Sequence, residues 1–150
     1  MVDLDLIKKL REETGCGVIE AKKVLEETAS YEEAKEVLKK RGIEKVAKKE
    51  ARETAQGFVG SYLHSNGALA SLVSLACETD FVARTEDFKR LANEVAMQVA
   101  AMNPASVEEL LSQEYIREPN KTVRDLLVEL SAKVGENVLV KDFKRLEVGA

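Results

Sequence analysis

The sequence predicts an α+β fold: an amino-terminal three-helix module, a helical linker, then a small three-stranded antiparallel sheet packed with helices. Three observations carry this. Apolar residues recur at helical spacing from residue 3 to 41. The pattern changes to strand-like stretches on either side of an Asn-Gly turn between Gln56 and Cys77. Helical spacing then returns from Phe88 until a last extended stretch, Asn137 to Val148. The expected boundaries are 1–42 for the module, 43–55 for the linker and 56–150 for the α+β core.

The elements follow in order. Leu4, Ile7 and Leu10 share one helix face, Val18, Ala21 and Leu25 a second, and Ala34, Val37 and Leu38 a third, with Gly15-Cys16-Gly17 as the first turn. Ser30 with Glu33 forms a capping box for the third helix, and Gly42 is its expected stop. Ile43 to Ala55 has no proline or internal glycine and a thin apolar stripe (Ile43, Val46, Ala47, Ala51), which suits an exposed helical linker. Gln56–His64 and Leu69–Cys77 flank Ser65-Asn66-Gly67-Ala68, a strong hairpin signal. Phe88, Leu91, Ala92, Val95, Ala96 and Val99 give a wide apolar face that must pack on the sheet, and Asn103-Pro104 ends that helix. Ser106 with Glu109 starts a short helix. Thr122 with Asp125 starts another, which carries Val123, Leu126, Leu127, Leu130 and Val134 and stops at Gly135.

Composition narrows the function classes. Across 150 residues, 45% hydrophobic content and two prolines fit a folded, soluble protein, and no apolar run is long enough to span a bilayer. The start, MVDLDLIKKL, places acids before the first lysine, so a cytoplasmic address is expected. Cys16, Cys77 and the single histidine, His64, are scattered, which argues against a metal site and for two buried thiols. The net charge is −4, yet Lys39 to Arg52 holds seven basic residues against Glu44 and Glu50. No aromatic residue is interleaved there for base stacking, so a solvated helix face is expected rather than direct nucleic-acid binding.

Enzymatic readings find little support. Gly15-Cys16-Gly17 lacks the third glycine of a dinucleotide loop and follows a helix instead of a strand, and no phosphate-binding loop pattern occurs. Cys77, Glu78 and Asp80 lack a nearby base, and a thiol nucleophile needs one. Cys77 is better read as a small core residue, and His64, beside the hairpin turn, as exposed. No cofactor is expected.

The hexapeptide Thr79-Asp80-Phe81-Val82-Ala83-Arg84 stands out, because it puts an acid and a large ring at a strand-to-helix corner. Taken alone it has two readings: Phe81 in the core with Asp80 as a helix cap, or both presented outward. The segment resembles the signature of bacterial elongation factor Ts, as a short, single-core form. LREETGCGVIEAKKVL (10–25) resembles that family's amino-terminal signature, and VGENVLVKDFKRLEVGA (134–150) its closing strand. The resemblance implies a ubiquitin-associated-like (UBA-like) amino-terminal module that docks on elongation factor Tu. It also implies an exchange wedge, Thr79, Asp80, Phe81 and Val82, that enters the nucleotide domain of that partner and dislodges Mg²⁺. Arg11, Val18 and Ile19 fall where the family grips a helix of the same domain. The family commonly has two methionines where this chain has Val18 and Ile19, and an acid and an asparagine where it has Ser74 and Ala76. A longer insertion between the last helices is also common in the family and is missing here.

Exchange needs no bond chemistry. A partner that binds nucleotide-displaced loops weakens nucleotide binding by the factor by which nucleotide weakens the partner. A three-stranded sheet leaves edges and an outer face to cover, so a homodimer through the core sheet is expected. Two rival readings stay open: a docking module whose core merely dimerises, and an RNA-binding protein using Lys39 to Arg52.

Overall fold

The computed structural model describes residues 3–49 and 52–149. The chain divides into two compact units, Met1–Ala51 with Val128–Glu136 and Arg52–Leu127 with Asn137–Ala150.

In the first unit, α1 (Leu4–Thr14), α2 (Val18–Glu27) and α3 (Tyr31–Lys49) enclose a small core of Ile7, Leu10, Ala21, Val24, Ala34 and Leu38. Asp3 caps α1 by accepting from the Asp5 N–H, and Gly15 ends it in the left-handed conformation at φ 75°. The expected faces need correction at their first residues. Leu4 and Val18 begin their helices and stand exposed, while Val24 fills the core beside Ala21 and Leu25 is only partly buried. A side chain in a first turn overshoots the packed part of a short helix, so spacing alone misplaces it.

The expected stop at Gly42 is absent, since α3 runs through it to Lys49. The reason is packing. A Cβ at Gly42 would lie 2.7 Å from the Cβ of Ala132, so glycine here allows close approach and does not cap. Ala132 belongs to the later part of α7 (Val123–Val134), which this unit takes in from Val128 onward. Arg52 to Ala55 are not helical, and Glu50 and Ala51 lie outside the described residues, as do the side chains of residues 46–49. Arg41 and Lys45, from the basic run, pair with Glu20 at 3.7 and 3.6 Å.

In the second unit, β1 (Gln56–Leu63), β2 (Leu69–Cys77) and β5 (Leu139–Glu147) form an antiparallel sheet in the order β1-β2-β5. The Asn-Gly turn is built as its composition predicts. Gly67 sits at φ 72°, and the Asn66 side chain accepts from the Ala68 N–H at 3.0 Å. Between β2 and β5 the chain makes α4 (Asp80–Ala83), α5 (Glu86–Met102), α6 (Val107–Ser112) and the start of α7.

α5 covers one face of the sheet with Phe88, Ala92, Val95, Ala96 and Val99. Small residues let it lie close: a Cβ at Gly60 would meet the backbone of Ala92 at 2.2 Å, and the Ser71 hydroxyl donates to the Ala96 carbonyl. Arg145 Nε donates to the Ala100 carbonyl at 3.0 Å, so a cation serves a helix carboxyl end whose last carbonyls lack helical partners. The opposite face stays open. Leu63, Ala70 and Leu146 make one row across the three strands, with Val59 and Leu72 nearby, and all but Ala70 are exposed large apolar residues.

One element was absent from the sequence reading. β3 (Glu114–Tyr115) and β4 (Glu118–Thr122) form a two-stranded ribbon before α7. The side-chain caps that start α6 and α7 were legible. Ser106 Oγ accepts from the Glu109 N–H at 3.1 Å and Thr122 Oγ1 from the Asp125 N–H at 3.2 Å.

Candidate functional site

The hexapeptide is where the sheet hands over to the helices. β2 ends with Cys77 opposite Gln56. Thr79, in extended conformation, then caps α4, its Oγ1 accepting from the Val82 N–H at 3.4 Å. One turn later Thr85 does the same for α5, accepting from the Phe88 N–H at 3.3 Å. Thr85 also returns two bonds to the Val82 carbonyl, from its N–H at 3.1 Å and its hydroxyl at 2.7 Å. Two caps are thus interlocked through Val82, and together they hold the internal shape of the corner.

This geometry decides between the two readings of the segment. Thr79, not Asp80, is the cap. Ala83 turns inward and is buried, whereas Phe81, two residues earlier and so roughly 200° round the turn, is 79% exposed. Phe81 is not core. The Asp80 carboxylate is paired with the Arg84 guanidinium on the same turn and is about half open to solvent. A ring and a carboxylate are therefore held outward side by side on a fixed support.

Residues beneath the corner hold it, and sequence reasoning gave them no such role. The buried Cys77 thiol donates to the Thr79 carbonyl at 3.1 Å. Glu78 Oε1 accepts from the Asn137 N–H at 2.8 Å and lies 3.7 Å from Arg52 Nη1. Asn137, itself buried, donates from Nδ2 to the Arg52 carbonyl at 3.2 Å. Glu78 was visible as the residue preceding the hexapeptide, but nothing in the sequence connects it to Asn137.

The amino-terminal candidates gather at the turn between α1 and α2. Arg11 Nε donates to the Cys16 carbonyl at 3.3 Å, which fastens the side chain across the turn. Val18 and Ile19 open α2 behind Gly17, which makes no side-chain cap, and are 50% and 84% exposed. This group lies in the first unit and the hexapeptide in the second. Nearby, Tyr31 bonds Glu13, which Lys35 also approaches at 3.3 Å; the tyrosine bond holds the Glu13 carboxyl below its ordinary range.

Among the described residues, no group of three His, Cys, Asp or Glu is placed to hold a metal ion, and no helix is long and apolar enough to cross a membrane. The two groups expose Phe81, Val18 and Ile19 beside charged side chains held by a bond or an ion pair.

Comparison with known proteins gives the same direction. The family model for Elongation factor TS matches residues 78–150, from Glu78 at the corner onward. Elongation factor Ts of Nitratidesulfovibrio vulgaris (strain DSM 19637 / Miyazaki F) is 37% identical, over 99% of this chain and 98% of its own length. Elongation factor Ts of Thermotoga neapolitana is 40% identical over 99% and 98%, and that of Thermosipho melanesiensis 38% identical over 99% and 100%. The first of these alignments extends over 195 positions against a chain of 150 residues, so the relative carries residues that this chain lacks. With relatives this similar matched almost end to end, the chain belongs to the elongation factor Ts family.

Proposed function

We propose that this chain promotes guanine nucleotide exchange on elongation factor Tu during translation elongation, in the cytoplasm, by binding and without bond chemistry. The corner Thr79, Asp80, Phe81 and Val82 enters the nucleotide domain and dislodges Mg²⁺, while Arg11, Val18 and Ile19 dock on a helix of that domain. The observation that carries this reading is the 79% exposed Phe81 ring on a corner locked by two interleaved caps.

The physical logic is a wedge. A ring already outside the core costs the exchange factor nothing to remove from its own packing, and a rigid base transmits force instead of yielding. Ordering is completed before the encounter, so less binding free energy is lost to immobilisation. Asp80 beside the ring brings negative charge toward a site whose metal depends on its neighbours. If the bound state displaces the nucleotide loops, each about 1.4 kcal/mol of coupling weakens GDP tenfold.

A second copy of the chain is the proposed cover for the outer sheet face, where Leu63 and Leu146 flank Ala70 in one row. Burying them covers the exposed apolar row on the outer face of the sheet.

The test is stopped-flow release of a fluorescent GDP analogue from elongation factor Tu. Substoichiometric chain accelerating release on many partner molecules supports exchange. Binding without acceleration would leave only a docking module and overturn the proposal.

A further inference from the structure

The corner is supported from below by a residue that has no place in the wedge itself. Cys77 is the last ladder residue of β2, and Glu78 is the first free of the sheet pairing. The Cys77 thiol bond to the Thr79 carbonyl, the Thr79 cap and the Thr85 hydroxyl bond each join residues two or three apart in sequence. Glu78 reaches two distant segments. Its Oε1 takes the N–H of buried Asn137 at 2.8 Å and faces Arg52 Nη1 at 3.7 Å, and Asn137 Nδ2 closes the triangle on the Arg52 carbonyl at 3.2 Å.

Arg52 and Asn137 are the two residues at which the chain enters the sheet-bearing unit, once before β1 and again before β5. One carboxylate therefore binds both entering segments to the base of the Phe81 corner. We propose that Glu78 is a positioning residue of the exchange site: it clamps the Thr79–Val82 corner to the two incoming chain segments and sets the rigidity with which Phe81 is presented. This rests on the wedge reading above.

The chemistry supports a clamp more than a contact surface. The Glu78 side chain is only 20% exposed, so it has little area for a partner. A carboxylate accepting a buried backbone N–H makes a charge-assisted bond, short and directional, which suits holding an angle. Arg52, more exposed, completes the charge balance from outside. Removing the carboxylate leaves the Asn137 amide without that acceptor and frees the corner to sample other directions. Misplacement of about 1 Å at a positioned group costs up to roughly a hundredfold in rate, so a partial loosening should be readily measured.

The experiment compares the wild-type chain, Glu78→Ala and Glu78→Gln in GDP release from elongation factor Tu across a range of chain concentration. It is paired with amide hydrogen exchange of the free proteins. Glu78→Ala is expected to lower the maximal release rate about tenfold with the half-saturating concentration unchanged. The amides of Val82 and Ala83 should exchange about tenfold faster, while those of Val73 and Leu75 in β2 keep their protection. Glu78→Gln keeps an acceptor for Asn137 and loses the half-exposed ion pair with Arg52, so it should stay within about threefold of wild type.

Glu78→Ala equal to wild type overturns the clamp while leaving the exchange function standing. So does a loss that appears in half-saturation alone, or a loss of protection spread through β2. Equal loss in both variants also overturns it, because charge rather than the held amide would then matter. No acceleration by the wild-type chain would remove the wedge reading, and this inference with it.

Discussion

Gln98 offers the sharpest test of how the second unit is built. It is fully buried on α5, yet every polar atom of its side chain is used: Nε2 donates to Gln113 Oε1 at 3.2 Å and to the Glu114 carbonyl at 3.1 Å, and Oε1 accepts from the Ile116 N–H at 3.1 Å. Glu94, one turn earlier, accepts from the Tyr115 hydroxyl and pairs with Arg117 at 3.1 Å. One flank of α5 thus substitutes for the sheet neighbour that β3 lacks. Gln98→Ala removes three hydrogen bonds at about 1 kcal/mol each and leaves the Ile116 N–H without that acceptor. A loss of about 3–4 kcal/mol follows. At about 2–4 °C per kcal/mol for a chain of this size, the melting temperature should fall by roughly 6–16 °C. Calorimetry and urea titration with unchanged m-value would measure it. A loss under about 1 kcal/mol would show that the ribbon stands without Gln98 and refute the reasoning.

Two other outcomes can be checked directly. Burial first, then the bond to Glu94, pushes the Tyr115 phenol above its ordinary range, so the neutral ring is favoured in the folded state. Its contribution is complete below the unfolded tyrosine value of about 10 and declines as pH rises beyond it. Tyr115→Phe should therefore cost about 1–1.5 kcal/mol at neutral pH, and the gap from wild type should narrow above about pH 10 in denaturant titrations. Leu72, half exposed at the centre of the outer sheet face, should decide oligomeric state. The wild-type chain should sediment as a dimer of 16.6 kDa subunits and Leu72→Glu as a folded monomer, whereas a wild-type monomer would contradict the proposed cover.

Much of the fold was legible because its signals are local. Asn66-Gly67, the Ser106–Glu109 and Thr122–Asp125 boxes and the left-handed Gly135 each specify backbone geometry within a few residues. What escaped is held from a distance. β4 contains Pro119 and no apolar alternation, and the ribbon it forms with β3 is anchored by side chains of α5. Gly42 looked like a stop because a helix-ending glycine and one that admits a neighbour are the same letter; its cause is Ala132. The hexapeptide could be located from sequence, but which way Phe81 points depends on Ala83 being the residue turned inward. Its support through Glu78 depends on Asn137, from a segment no local pattern connects to it.

The most direct measurement is Phe81→Ala, read in two ways on one preparation. Only about a fifth of Phe81 is covered in the folded chain, against about 1.5–3 kcal/mol for burying a whole side chain. Stability should therefore change by no more than about 0.6 kcal/mol, partly offset by the better helix propensity of alanine. If the remaining surface is what enters the partner, about 1–2.5 kcal/mol of exchange-competent binding is lost, and GDP release from elongation factor Tu should slow by roughly fivefold to seventyfold. A nearly unchanged melting temperature with exchange slowed in that range is the predicted result. Exchange as fast as wild type, or a mutant that loses stability in place of activity, would contradict the account.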